Sequence, residues 1–191
     1  MNEFKKVCTE SLATIDEIQR PDSEEHVDLY SPALEVMTDF SATRPLMIEQ
    51  NTGILAAKEL MQKIHVRLML VIDSQESFKG VISLADLSSV KVMQSRAGTG
   101  LGVNELTVAE LMTPRDALHA IDIQKVHRSS IGDIVATMRA FGDQHLLVLD
   151  SRHSRIRGIV STTDISRRLH VSVDISERAN SFSDIVRAVR G

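Results

Sequence analysis

The sequence predicts a mixed α/β (α+β) fold in which two β-α-β-β-α repeats pack sheet to sheet about a pseudo-twofold axis. Three observations carry this. Four segments recur in the same order at an offset of 75 to 78 residues. In each copy a helical apolar stripe is followed by two short, nearly continuous apolar runs, the pattern of strands buried on both faces. A unit of about 55 residues is also too small to cover its own sheet, so the two copies need each other.

The elements follow in order. "VMTD" at Val36–Asp39 is echoed by "LMTP" at Leu111–Pro114, and each repeat opens there with a short apolar turn, Ala33–Met37 and Val108–Met112. An extended stretch is expected next, at Leu46–Ile48 and Lys125–His127. A helix follows, with Ile54, Ala57, Leu60, Met61 and Ile64 on one face in the first repeat. Ile131, Ile134, Val135, Met138 and Phe141 do the same in the second. Thr52 and Ser130 stand where N-caps belong. Strands are expected over 68–72 with 79–82, and over 145–149 with 156–160, joined by polar turns. A second helix is expected to begin at each Ser-x-x-Asp, Ser83–Asp86 and Ser161–Asp164.

This divides the chain into an N-terminal amphipathic helix and linker (1–30), a first repeat (31–95), a connector (96–107), a second repeat (108–171) and a C-terminal tail helix (172–191). The N-terminal helix rests on Phe4, Val7, Leu12, Ile15 and Ile18 at helical spacing, ended by Pro21. The tail helix rests on Ile185, Val186 and Val189. Turn-rich "SRAGTGLG" at 95–102 marks the connector.

Composition narrows the function. The chain has 191 residues, 42% hydrophobic and 25% charged, which is ordinary globular usage. A net charge of -4 argues against a dedicated nucleic-acid binder. The charge is uneven: residues 1–110 hold 10 Lys/Arg against 17 Asp/Glu, and residues 111–170 hold 9 against 6. The second repeat is thus the better home for an anionic ligand. A single cysteine, Cys8, excludes an internal disulfide. No apolar run approaches the roughly 18 residues of a membrane span, so a cytoplasmic protein with no membrane partner is expected. No histidine pairs with a carboxylate at metal-ligand spacing, so no metal is expected. No P-loop, nucleophile elbow or acid–base pair stands out, and the chain is read as non-enzymatic.

The segments "GVISLADL" and "GIVSTTDI", the "MT" that opens each repeat, and the "VID" and "VLD" that close the middle strands resemble the CBS domain, the module of cystathionine β-synthase. The resemblance spans about 35–170, and the tandem arrangement is similar to a Bateman module. It implies two clefts between the repeats that hold adenosine compounds: AMP, ADP, ATP, S-adenosylmethionine or NAD. It also implies ribose binding by Asp86 and Asp164, with Ser83 and Ser161 as the associated hydroxyls.

The residue chemistry fits such a ligand. A carboxylate can accept both hydroxyls of a ribose diol. Ser161, Thr162 and Thr163 open a helix whose free N–H groups suit a phosphate. Arg167 and Arg168 lie one turn on, whereas the first repeat reads Ser-Leu-Ala-Asp, so the cleft around Asp164 is expected to be the better site. The adenine is expected against Thr43, Arg44 and Pro45 in one repeat, and against Ile121 and Asp122 in the other. His145, at the start of a buried strand, is either a phosphate contact or a structural histidine. Asp86 and Asp164 have a plainer reading too, as first-turn carboxylates favoured by the helix dipole.

The expectation is a stand-alone regulatory protein with no resident cofactor and an adenine nucleotide as regulatory ligand. It would form a homodimer and act on an unidentified protein partner. The alternative is a ligand-free dimeric scaffold acting through its terminal helices. In that reading Leu70 and Leu147, where the family often has proline, fill the clefts.

Overall fold

Both apolar runs of each repeat form a hairpin, and each hairpin sits at the centre of a sheet. The structure is a computed structural model and describes residues 4–19 and 27–173. A 3-10 turn at Ala33–Val36 leads into β1 (Met37–Asp39), β2 (Met47–Glu49), α1 (Ile54–Lys63), β3 (Leu68–Ile72), β4 (Phe78–Ser83) and α2 (Ser89–Thr99). The second repeat runs through a 3-10 turn (Val103–Glu105), α3 (Val108–Leu111), β5 (Thr113–Pro114), another 3-10 turn (Arg115–Ala117), β6 (Ala120–Asp122) and α4 (Ile123–Val126). It continues with α5 (Ile131–Phe141), β7 (His145–Asp150), β8 (Arg155–Ser161) and α6 (Thr162–Leu169).

The described residues form two four-stranded sheets, β1-β8-β7-β6 and β2-β3-β4-β5. The first strand of each repeat is therefore exchanged. β1 lies antiparallel to β8, with Met37 opposite Val160, and β5 lies antiparallel to β4, with Thr113 opposite Val81. The exchange extends into the cores. Leu29, Ala33 and Val36 are buried with Ile131, Ile134, Met138 and Ile165. Leu106, Val108 and Leu111 are buried with Ile54, Met61, Val71 and Ile82. The packing units cut across the sequence repeats.

The glycine of each "KG" and "RG" permits this. A Cβ on Gly80 would collide with the Thr113 carbonyl oxygen, and one on Gly158 with the Thr38 carbonyl oxygen and the Met37 side chain. Both obstacles include backbone, so they cannot swing away. Next to each glycine the central hairpin bulges: pairing passes from Gly80 to Phe78 and from Gly158 to Ile156, skipping Lys79 and Arg157. The bulged Arg157 donates two parallel bonds to Asp39 on the exchanged strand, 2.7 Å from Nε and 2.8 Å from a terminal nitrogen. In the other sheet Pro114 stands at the matching place, and Lys79 turns instead to Asp73 at 2.7 Å.

The two sheets meet along a seam of buried Leu70, Val81 and Leu147, flanked by Phe40, Leu68, Phe78, Leu118, Ile156 and Ile159. Leu70 and Leu147 thus join the sheets.

Several expectations need correction. Residues 4–19 contain no helix, and Phe4, Val7, Leu12, Ile15 and Ile18 are exposed. An apolar stripe with nothing to pack against does not hold so short a helix in water. The linker residues 20–26 and residues 174–191, which carry the apolar residues of the expected tail helix, lie outside the described residues. The extended stretch placed at Lys125–His127 is at Ala120–Asp122; Lys125 belongs to α4, capped by Asp122 through the Gln124 N–H at 2.8 Å. Ser130 caps α5 as expected, but Gly53, not Thr52, precedes α1. The first repeat has no helix at Ser83. Its Ser83–Leu87 segment is a single turn, and α2 begins only after Ser88, which takes the N-cap position.

Arg157 holds the Asp39 carboxyl well below the usual carboxylate range, chiefly through the side-chain hydrogen bond. A depressed folded-state pKa means the pair stabilises fully above the unfolded value of about 4 and loses its effect as pH falls below it. Asp39→Asn is expected to lower Tm near pH 7 by the equivalent of no more than about 1 kcal/mol, because water reaches both side chains. In thermal melts the gap from the unmodified chain should close on acidification below pH about 4. A gap independent of pH contradicts the assignment.

Candidate functional site

The Ser-x-x-Asp segments end the inner strands of the two sheets. In the second repeat the Ser161 hydroxyl donates to Asp164 Oδ2 at 2.6 Å and accepts the Asp164 N–H at 3.0 Å, a closed cap at the start of α6. Asp164 Oδ1 is held by Arg167 at 3.1 Å, an arginine that is 75% exposed. In the first repeat Asp86 Oδ2 accepts both the Ser83 N–H at 2.8 Å and the Ser83 hydroxyl at 2.7 Å. Lys91 occupies Asp86 Oδ1. Each carboxylate therefore has one oxygen fixed by its own turn and the other held by an exposed cation. The Asp164 side chain is 29% exposed against 14% for Asp86.

His145 stands next to the second of these turns. It faces Ser161 across β7 and β8 and is half-buried. Burial lowers its pKa, and the fields of Asp86, Asp164 and Asp143 oppose that shift. The imidazole thus lies within the fields of carboxylates from both repeats, at the end of the sheets opposite the hairpin turns. Asp143 also hydrogen-bonds His119 Nδ1 at 2.7 Å, and His119 stacks on Phe141 with centroids 4.1 Å apart.

Other expected site residues fall differently. Thr162 and Thr163 lie in the first turn of α6, but the Thr162 N–H already bonds the Gln144 carbonyl at 3.1 Å. With the Asp164 N–H taken by Ser161, the helix start offers an anion fewer donors than its position implies. Arg168 pairs with Glu35 at 3.8 Å. Thr43 and Arg44 are exposed, with Pro45 half-buried, in the loop between β1 and β2. Ile121 and Asp122 are not their counterparts. Strand pairing sets Met47 beside Leu70 and Ala120 beside Leu147, so Asp116, Ala117 and Leu118 occupy the places of Thr43, Arg44 and Pro45. Asp122 instead accepts the Ser151 N–H at 3.3 Å, at the hairpin end. The misplacement follows from reading the strand as Lys125–His127.

The family description "CBS domain" matches residues 35–92, which spans β1 to the first turn of α2. This segment is a CBS domain. The second repeat is its structural counterpart, with the same hairpin, bulge and closing Ser-x-x-Asp. A conserved CBS domain protein of unknown function from Thermoplasma acidophilum is 18% identical, with 78% of this chain and 73% of that one covered and a TM-score of 0.52. CBSX2, solved in complex with AMP, is 21% identical over 72% of this chain and 94% of its own, with a TM-score of 0.51. The CBS domain pair of protein MJ0100, solved with 5-methylthioadenosine and S-adenosyl-L-methionine, is 18% identical over 72% and 94%, with a TM-score of 0.50. At these identities the shared property is the fold, that of a CBS-domain pair. No curated protein matches the chain.

Sequence reasoning found the Ser-x-x-Asp ends of both repeats but missed Lys91, His119 and Asp143. The distance of Lys91 from Asp86 in sequence is no helical step, because a turn separates them. No described helix is long and apolar enough to cross a membrane.

The Ser161 hydroxyl is a cap whatever the carboxylate binds. Ser161→Ala is expected to lower stability by about 1 kcal/mol, the usual effect of losing an N-cap, measured by urea denaturation. No change would mean that Asp164 and α6 are positioned without it.

Proposed function

We propose that this CBS-domain pair is a regulatory, non-catalytic module that binds an adenosine-containing ligand at the Ser-x-x-Asp end, with the cleft around Asp164 as the stronger site. The observation that carries the reading is the Asp164 carboxylate, with one oxygen fixed by the Ser161 hydroxyl and the other held only by the exposed Arg167. Asp164 is the more accessible carboxylate and is bound by fewer of its own donors. A ribose diol would bond Asp164 Oδ1 in place of Arg167, while Ser161 keeps Oδ2 aimed. Released Arg167 would then face the phosphates, with the His145 imidazole as a neutral hydrogen-bonding neighbour. That CBSX2 was solved with AMP, and the MJ0100 pair with 5-methylthioadenosine and S-adenosyl-L-methionine, supports the class of ligand.

A ligand regulates only by binding one conformation better than another. Here it would span segments from both packing units, and so would bias their relative placement and that of a bound protein partner. Two copies pair in this reading, through apolar side chains left exposed on α1 and α2: Leu55, Leu60, Val90 and Met93.

Isothermal calorimetry with AMP, ADP, ATP, S-adenosylmethionine and NAD tests this. At least one is expected to bind, with Asp164→Ala weakening it about tenfold or more and Asp86→Ala weakening it less. Light scattering should give twice the 21.2 kDa chain mass. No heat with any of the five, or binding indifferent to both substitutions, overturns the proposed site.

A further inference from the structure

The opposite end of the paired sheets holds a groove of about 660 Å³ between the two hairpin turns. That volume suits a small organic molecule. Its apolar wall is Phe78, Leu149 and Ile156, and its polar rim includes Arg115, Arg155 and Ser154. Leu149 is 36% exposed on a strand otherwise largely buried, so it presents bare apolar surface here.

The groove exists where the pseudo-symmetry breaks. Thr38 pairs with Ile159 and Thr113 with Val81, which makes Phe40 and Arg115 equivalent positions. Phe40 packs into the seam between the sheets, whereas Arg115 is exposed. On the hairpins, Ile72 pairs with Phe78 and Leu149 with Ile156, so Ser77 and Arg155 are equivalent as well. Both exchanges place a guanidinium on the same side.

The charges then decide what the groove accepts. Buried Asp150 is bonded to His153 Nδ1 at 2.7 Å and paired with Arg155 at 3.4 Å, so these two charges answer each other. Arg115 makes no ion pair among the described residues. The rim therefore keeps one uncompensated positive charge above an apolar wall that contains an aromatic ring.

We propose that this groove binds a small organic oxyanion, a ring-bearing apolar body carrying one phosphate or carboxylate group. The body lies against Phe78, Leu149 and Ile156, and the oxyanion meets the Arg115 guanidinium, whose planar fork matches either head group. The site does not depend on ligand binding at the Ser-x-x-Asp end.

The test is amide NMR of the full chain titrated with phenyl phosphate and, separately, with benzoate. Saturable shifts are expected at Phe78, Ser151, Ser154 and Ile156, not at Ser83 or Ser161. Shifts with both probes assign a general oxyanion site, and shifts with phenyl phosphate alone assign a phosphate site. Arg115→Gln should weaken binding roughly ten- to hundredfold, the effect of losing a charged hydrogen bond. Arg115→Phe, which matches the residue at the equivalent position, should fill the groove and abolish binding. Arg115 is exposed, and an unchanged spectrum away from the groove checks that each variant is folded. No saturable shifts at the groove, shifts confined to the Ser-x-x-Asp end, or binding that survives Arg115→Phe overturns the proposal.

Discussion

The exchange of the first strand between repeats is the constraint on which the rest of the structure depends. It requires two backbones to approach so closely that only glycine fits, at Gly80 and Gly158. That contact makes one body of two units too small to bury their own sheets. It also brings the inner hairpins face to face, so the ends of β4 and β8 deliver their Ser-x-x-Asp segments to one place. That His145 lies in the fields of both Asp86 and Asp164 is a result of this packing.

The duplicated chain is not used symmetrically. The same bulge occurs beside both glycines, yet Arg157 clamps the exchanged strand while Lys79 bonds within its own turn, because Asp39 and Pro114 differ. The closing segments diverge likewise. Ser161 caps a continuous helix, whereas Ser83 closes an isolated turn before α2 starts at a later serine. One repeat thus offers a more open carboxylate, and the other a more tightly bonded one. Duplication supplies two scaffolds, and single-residue differences give them separate chemistry.

The central elements were legible in the sequence because they obey strong local rules. Helices α1 and α5 and the two pairs of apolar strands stand within a residue or two of their expected places, and Ser130 caps as its type suggests, but Leu60, Ile64 and Phe141 of the two stripes are exposed. The exchange was not legible. Ala33, Val36 and Leu111 read as apolar wherever they pack, and no pattern within one repeat reveals which core receives them. The β6 strand was misread because only Ala120–Asp122 is extended, too few residues to show alternation, beside a capped turn of helix. In the candidate site the aspartates and serines were visible through their repetition. Lys91, His119 and Asp143 were not, since the first is set by a turn and the others meet across 24 residues of chain. Helical spacing alone misled at 4–19, where no surface receives the stripe.

The crossed packing also fixes how mechanical load travels. Residues 27–39 belong to the second core, and Met37 pairs with Val160, immediately before Ser161. Tension on the chain ahead of residue 27 therefore meets the second repeat first, through the bonds from the Gly132 and Ile131 N–H groups to the Leu29 and Ser31 carbonyls and then through β1 on β8, and bypasses the repeat that follows it in sequence. A tethered partner would pull on the far half of the molecule.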